Sequence, residues 1–153
     1  MKNIIFLSFL IISIVNASDN NLKKSKTIHG VTVQLGGESE SDGMIDQFWF
    51  AKLFNEGKIP DGIQMVDVRK YDYYKKGHVK DAINAPYDFD KDYVDISNLP
   101  KDKLIVFYCN TGIASTDARF SLKKEQSKNI LIFDAAVQCD KNNNCIARAN
   151  ENI

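Results

Sequence analysis

Charge of one sign, histidine and cysteine are all in short supply in this chain. Lys and Arg number 20 and so do Asp and Glu, for a formal net charge of zero. No one-signed field exists to gather nucleic acid or an anionic membrane surface, and neither partner is expected. The charges are interspersed, there is no internal repeat, and no low-complexity tract interrupts the sequence. His29 and His78 are the only histidines. His29 has no second histidine or cysteine at ligand spacing, so no metal site is expected, and its expected role is a surface or packed side chain.

Long hydrophobic runs are also missing, with one exception at the start. Lys2 precedes an apolar stretch from Ile4 to Val15, and Val15-Asn16-Ala17 resembles a small-residue cleavage site. This pattern predicts a secretory signal over residues 1–17, too short and wrongly flanked for a membrane span. The mature chain is then expected to begin at Ser18, with no stable membrane insertion and a periplasmic destination. No cysteine lies near the cut, so a lipid anchor is not indicated. The remainder is long enough for one domain with a real core. Residues 18–43 form an N-terminal segment in which Ile28 to Leu35 alternates as an edge strand does.

What is present centres on Leu104 to Ser115, L-I-V-F-Y-C-N-T-G-I-A-S. A continuous apolar run ending in a turn signal predicts a strand buried on both faces, as in a parallel α/β sheet. Cys109 thus falls at a strand's carboxyl end, where open α/β sheets hold their ligands. The amides of the following loop, Asn110, Thr111, Gly112, Ile113, Ala114 and Ser115, can turn inward around the sulfur. A helix starting near Ser115 and running to Ser127 adds the positive end of its dipole. Both effects favour thiolate over thiol and mark Cys109 as a candidate nucleophile. The plainer alternative is a cysteine packed as a small hydrophobe.

Upstream, Ile45, Phe48, Trp49 and Leu53 make one helical stripe over Ile45 to Glu56, with Asp42 or Gly43 near its start and Gly57 past its end. Pro60-Asp61-Gly62 turns into a second buried strand that ends near Asp67 to Arg69. A short helix over Lys70 to Lys76, a stop at Gly77 and a brief strand D-A-I-N-A-P follow. A further buried strand is expected at Ile130 to Phe133.

Two of these stretches resemble a known family when taken together. V-D-V-R-K-Y-D-Y-Y-K-K-G-H-V-K-D-A-I-N-A-P, from Val66 to Pro86, resembles the rhodanese signature of Asp-x-Arg, an aromatic, Gly-His and Ala-x-Asn-x-Pro. C-N-T-G-I-A-S, from Cys109 to Ser115, is similar to the rhodanese active-site loop and stands at the family's usual separation. The resemblance implies a rhodanese-like α/β domain over residues 44–136, with a small central parallel β-sheet flanked by helices. It further implies a sulfurtransferase in which Cys109 takes up a sulfane sulfur as a persulfide and passes it to a thiol or cyanide, with no cofactor. Asp67 is then expected to brace the active loop. Arg69 is expected in a buried ion pair or bonded to backbone, and His78 in a structural role.

The departures bear on substrate. Members that act on thiosulfate often carry arginine where this loop has Ala114, and Asn110, Thr111 and Ile113 are also uncharged. Weak thiosulfate turnover is expected, with polysulfide or a protein persulfide the better donor. Arg119 would compensate in part if its side chain folded back. Tyr73 stands where the family usually has an acidic partner for the arginine, and Ala135-Ala136 replaces a Gly-Gly pair at an expected turn. Related folds with longer loops are phosphatases, whose chemistry wants an arginine at position 115. Serine there removes the main stabilisation of a dianionic ester. A different class of reading is a sulfur carrier or binding module with little turnover, docked beside a sulfur-metabolising partner.

The tail, residues 137–153, adds a hairpin-like extension. Cys139 and Cys145 flank D-K-N-N-N, which reads as a disulfide-pinned turn in an exported chain and leaves Cys109 free. The alternative is a redox pair that resolves a Cys109 persulfide.

Overall fold

A computed structural model of the chain describes residues 24–150. The expected signal segment lies outside the described residues. The first element is a hairpin, β1 (Ser25–Ile28) and β2 (Val31–Gln34), paired antiparallel. The alternating pattern predicts one edge strand over Ile28 to Leu35. The chain is instead folded back at His29-Gly30, both with positive φ (48° and 78°). Glycine adopts that backbone freely and histidine does so uncommonly, which is why the turn is hard to see in the sequence. His29 Nε2 pairs with Asn129 Nδ2 at 2.8 Å, a packing contact on the surface.

Helix α1 (Gln47–Asn55) starts one turn later than Asp42 or Gly43. Its cap is Asp46, whose Oδ1 accepts from the Trp49 amide at 2.8 Å, satisfying one of the amides that a helix start leaves open. Its buried face is Phe50, Ala51 and Phe54, while Phe48 of the expected stripe is 58% exposed. The stripe is rotated because the chain buries Phe50 edge-on against Phe133, with ring centroids 4.8 Å apart. Gly57 follows the helix with φ 65°, the left-handed stop expected there.

The central sheet is built from β3 (Ile63–Asp67), β4 (Ile83–Asn84), β7 (Leu104–Tyr108) and β8 (Ile130–Ile132), all parallel, in the order β4-β3-β7-β8. Short α2 (Tyr71–Tyr74) and the small pair β5 (Tyr87–Asp88) and β6 (Tyr93–Val94) lie between. Every residue of β7 is buried. Leu104, Val106 and Tyr108 join the core under α1 and the N-terminal hairpin; Ile105, Phe107 and Cys109 join the core on the opposite face. Two buried faces are what the unbroken apolar run required.

Helix α3 (Ile113–Phe120) begins directly at Gly112 and ends well short of Ser127. Ala118 is buried from it, and Leu122 packs against the same core from the turn beyond. The chain ends in a second hairpin, β9 (Ala135–Cys139) and β10 (Cys145–Ala149). Ala135-Ala136 is therefore strand, paired with Ala149 and Arg148, and not the turn expected from the family pattern. Alanine suits a paired position where two glycines would weaken the strand.

Cys139 and Cys145 face one another in this register and form a disulfide across a sequence separation of 6. By loop-closure entropy, removing a bridge of this span costs about 2 kcal/mol. A Cys139→Ala, Cys145→Ala variant is therefore expected to lower the urea-unfolding free energy by that amount. No change would show that the strand ladder alone holds the turn.

Candidate active site

Cys109 follows β7 directly and sits between that strand's carboxyl end and the start of α3. The residue is 2% exposed. Gly112 N–H donates to Sγ at 3.1 Å, the one loop amide that reaches the sulfur among the described residues. Amides from Asn110 to Ser115 were all expected to converge. The helix claims Ile113, Ala114 and Ser115 for its first turn, where their N–H groups lack intrahelical acceptors and add the dipole's positive end instead. Gly112 has φ 94°, and a Cβ there would stand 2.0 Å from Asp134 Oδ1, so only glycine fits this turn.

Ser115 is fully buried beside the sulfur. Its hydroxyl donates to Gly112 O at 2.7 Å, and its Oγ lies 3.7 Å from Sγ. A hydroxyl carries one proton and two lone pairs. A thiol S–H can point at Oγ; once the sulfur is ionised, the hydroxyl can rotate to donate to it. Gly112 O is not stranded by that rotation, because Thr116 N–H also donates to it at 3.0 Å. The serine thus serves either protonation state of the cysteine.

Behind the loop, Asp67 and Arg69 form the site's electrostatic frame. Asp67 is fully buried at the end of β3. It accepts from the Arg69 amide at 3.0 Å, from Arg69 Nε at 2.9 Å, from the guanidinium's far nitrogen, and from Tyr108 Oη–H at 3.1 Å. Burial alone would draw the Arg69 pKa down, but the hydrogen bonds and charge of Asp67 outweigh it and hold the guanidinium above its ordinary value. Burial, then the Asp67 charge, raises the Tyr108 hydroxyl, so it remains a proton donor. The missing acidic partner at Tyr73 is thereby explained, since Asp67 itself is the partner.

Asp67 reaches the active loop through Arg69 and not directly. Arg69 donates to Asn110 Oδ1 at 2.8 Å and to Gly77 O at 2.8 Å. His78 stacks on Tyr74, with ring centroids 3.8 Å apart, and its Nδ1 lies 2.9 Å from Tyr74 O. Both contacts tie the ring to the end of α2. Arg119 does not fold back towards the loop. Its Nε donates to Ile130 O at 2.7 Å and another nitrogen meets Asp42 O at 3.5 Å, fixing it beneath Gly43. Burial lowers its pKa, and its guanidinium is bonded to main-chain carbonyls away from the loop.

Several contributors were not singled out from sequence. Asn84, inside the Ala-x-Asn-x-Pro stretch, donates to both Asp67 O and Arg69 O at 2.9 Å and fixes their backbone. The motif itself was the available signal. Tyr108 gave none, being one more residue in an apolar run. The cleft over Cys109 has a volume of about 350 Å³. Val68, Tyr73, Tyr87, Phe89 and Ala114 make its walls largely apolar, and Tyr73 and Phe89 are more than half exposed at its mouth. Arg69 and Lys70 are its cations.

A buried-strand α/β domain with a cysteine at the strand end, capped by a glycine amide and a helix start, defines a class of fold and site. The chain belongs to the rhodanese-like domain family, whose model matches residues 46–138. Two curated relatives are each called tRNA sulfurtransferase. One, from Pyrobaculum aerophilum, is 42% identical over 65 residues, covering 42% of this chain and 13% of the relative. The other, from Desulfurococcus amylolyticus, is 41% identical over 54 residues, covering 35% of this chain and 10% of the relative. The chain thus spans only a small part of either. Among solved structures, a rhodanese-like domain from Anabaena sp. aligns at TM-score 0.43 and 21% identity, over 57% of this chain and 64% of that one. A Bacillus halodurans protein aligns at 0.44 and 23%, over 61% and 66%.

Proposed function

We propose that this protein is an exported sulfurtransferase that carries sulfane sulfur on Cys109. The observation that carries the reading is the 3.1 Å hydrogen bond from Gly112 N–H to a cysteine sulfur on the floor of an open cleft. In the first step the Cys109 thiolate attacks a sulfane sulfur of the donor. A new S–S bond forms, the donor's S–S bond breaks, and its electron pair leaves on the shortened donor. In the second step a thiolate or cyanide attacks the outer sulfur and Cys109 departs as thiolate. No oxidant or reductant is consumed. The amide that meets the thiolate also serves the persulfide anion, as an oxyanion hole serves a developing charge.

Polysulfide or a persulfide on a protein thiol suits this cleft better than thiosulfate. The guanidinium on its wall is already committed to Asp67, Asn110 and Gly77, so its charge is cancelled and its fork is occupied. Lys70, exposed at the mouth, is the cleft cation without a side-chain partner among the described residues. One mobile ammonium is a poor substitute for a bidentate clamp on a dianion.

Incubating the protein with polysulfide or with thiosulfate, followed by mass spectrometry of non-reduced peptides, tests the reading. Loading of one sulfur on the Cys109 peptide from polysulfide, at least about tenfold faster than from thiosulfate, is expected from one missing charge-assisted bond. Equal loading from thiosulfate would reject the substrate assignment, and none from either would reject sulfur transfer. Near-complete burial of the thiol favours a second reading, a carrier with little turnover. It predicts a single stoichiometric release to cyanide where the enzyme gives many cycles.

A further inference from the structure

The amide that meets the sulfur belongs to the Thr111–Gly112 peptide, and the same peptide has its carbonyl engaged from elsewhere. Asn150 Nδ2 donates to Thr111 O at 3.1 Å. One flat unit therefore accepts from Asn150 at its oxygen and donates to Cys109 Sγ at its nitrogen, 3.1 Å away. Accepting at the carbonyl polarises a peptide and strengthens the bond its N–H donates. The Asn150 carboxamide is oriented without ambiguity, because Asp134 Oδ1, also an acceptor, lies 3.0 Å from the same nitrogen.

Asn150 is itself held at both main-chain groups. Its N–H donates to Gln47 Oε1 at 2.7 Å, and Gln47 Nε2 donates to its carbonyl at 3.0 Å, tying it to the first residue of α1. It follows directly on the disulfide-bridged hairpin and lies beyond the residues the family model covers. We infer that Asn150 is a positioning residue for the Cys109 site, which aims and polarises the Thr111–Gly112 peptide towards the sulfur. The C-terminal extension is then a working part of the sulfur site. The consequence for catalysis rests on Cys109 being the sulfur carrier; the consequence for the peptide does not.

The test uses the full chain and Asn150→Asp, which keeps the side chain's size while replacing its donors with acceptors, alongside Asn150→Ala. Two-dimensional amide NMR reads the Gly112 N–H directly, and the dispersion of the same spectrum reports whether the fold is intact. Both variants are expected to move the Gly112 amide proton upfield with the rest of the spectrum preserved. The maximal rate of Cys109 loading from polysulfide is expected to fall about tenfold, the effect of one weakened hydrogen bond, with little change in KM. Thr111 is the one lining residue of the cleft that bonds to Asn150, and no side chain of its apolar walls is altered, which is why KM is spared.

An unmoved Gly112 amide in a folded variant overturns the proposal. So does a moved amide with loading within about twofold of the unaltered protein, since a tenfold change is the size of effect at issue. Parallel loss of rate and of overall spectral dispersion would reduce Asn150 to a structural strut, and that too overturns it. If the unaltered protein fails to load sulfur, the sulfur-transfer reading falls on its own, and Asn150 fails as a positioning residue for it even where the amide moves.

Discussion

Cys109→Ser is expected to reduce sulfur transfer from polysulfide by at least about a thousandfold, to the background of the uncatalysed exchange, as for other removed nucleophiles. Serine is close to cysteine in size, and Gly112 N–H and Ser115 would still find an oxygen where Sγ stood. The fold is therefore retained and the loss is chemical. A serine hydroxyl stays protonated at neutral pH, and its oxygen cannot form the sulfur–sulfur bond on which the proposed cycle depends. The check is cyanide-dependent thiocyanate formation, with circular dichroism to show that the variant is folded. Undiminished thiocyanate production would falsify the assignment of Cys109 as the carrier. Because Cys139 and Cys145 are bonded to each other, no other free thiol exists among the described residues to take over.

The second large effect is on stability. Asp67→Ala is expected to cost about 3–5 kcal/mol, because it leaves a buried guanidinium without its counter-charge. The Arg69 side chain is 10% exposed and its carboxylate partner fully buried, so water can replace little of what is lost. Tyr108 loses its acceptor in the same change. The damage extends to the site, since Arg69 is the piece that holds Asn110 and Gly77. Urea denaturation measures the loss, and a cost under about 1 kcal/mol would place the pair in the class of solvent-screened ion pairs. Replacing both partners, Asp67→Leu with Arg69→Met, is expected to recover much of the stability but not the rate of sulfur loading.

These two residues mark how far the sequence carries. Strand β7 and the placement of Cys109 at its end were readable because a two-sided buried strand has no polar alternation to blur it. Strand β3 carries a polar residue, Gln64, ahead of Asp67 and was placed by the Pro60-Asp61-Gly62 turn before it, and the pairing of Cys139 with Cys145 followed from their spacing around a turn-forming stretch. The buried face of α1 differs from the expected stripe because its segment offers aromatics on several faces, and only the position of Phe133 decides which ones are covered. The hairpin at His29 was hidden because histidine gives no warning of a positive φ. Asn150 and Asn84 act through bonds to backbone atoms, and backbone leaves no trace in a residue pattern. Arg119 was a matter of direction: one turn beyond Ser115 it points away from the thiol, where Gly43 has no side chain to stop it.

The bonds between Gln47 and Asn150 join residues 103 apart in the chain, and Asn55 reaches Ala147 across 92. A polypeptide made from its amino end therefore contains α1, the central strands and Cys109 well before residue 150 is free to dock. Closing so long a loop costs entropy that only the final contacts repay. Until residue 150 docks, the Thr111–Gly112 peptide lacks the bond that Asn150 gives its carbonyl. The peptide beside Cys109 is thus completed by a segment whose anchoring bonds to Gln47 span 103 residues, so its geometry depends on a long loop being closed.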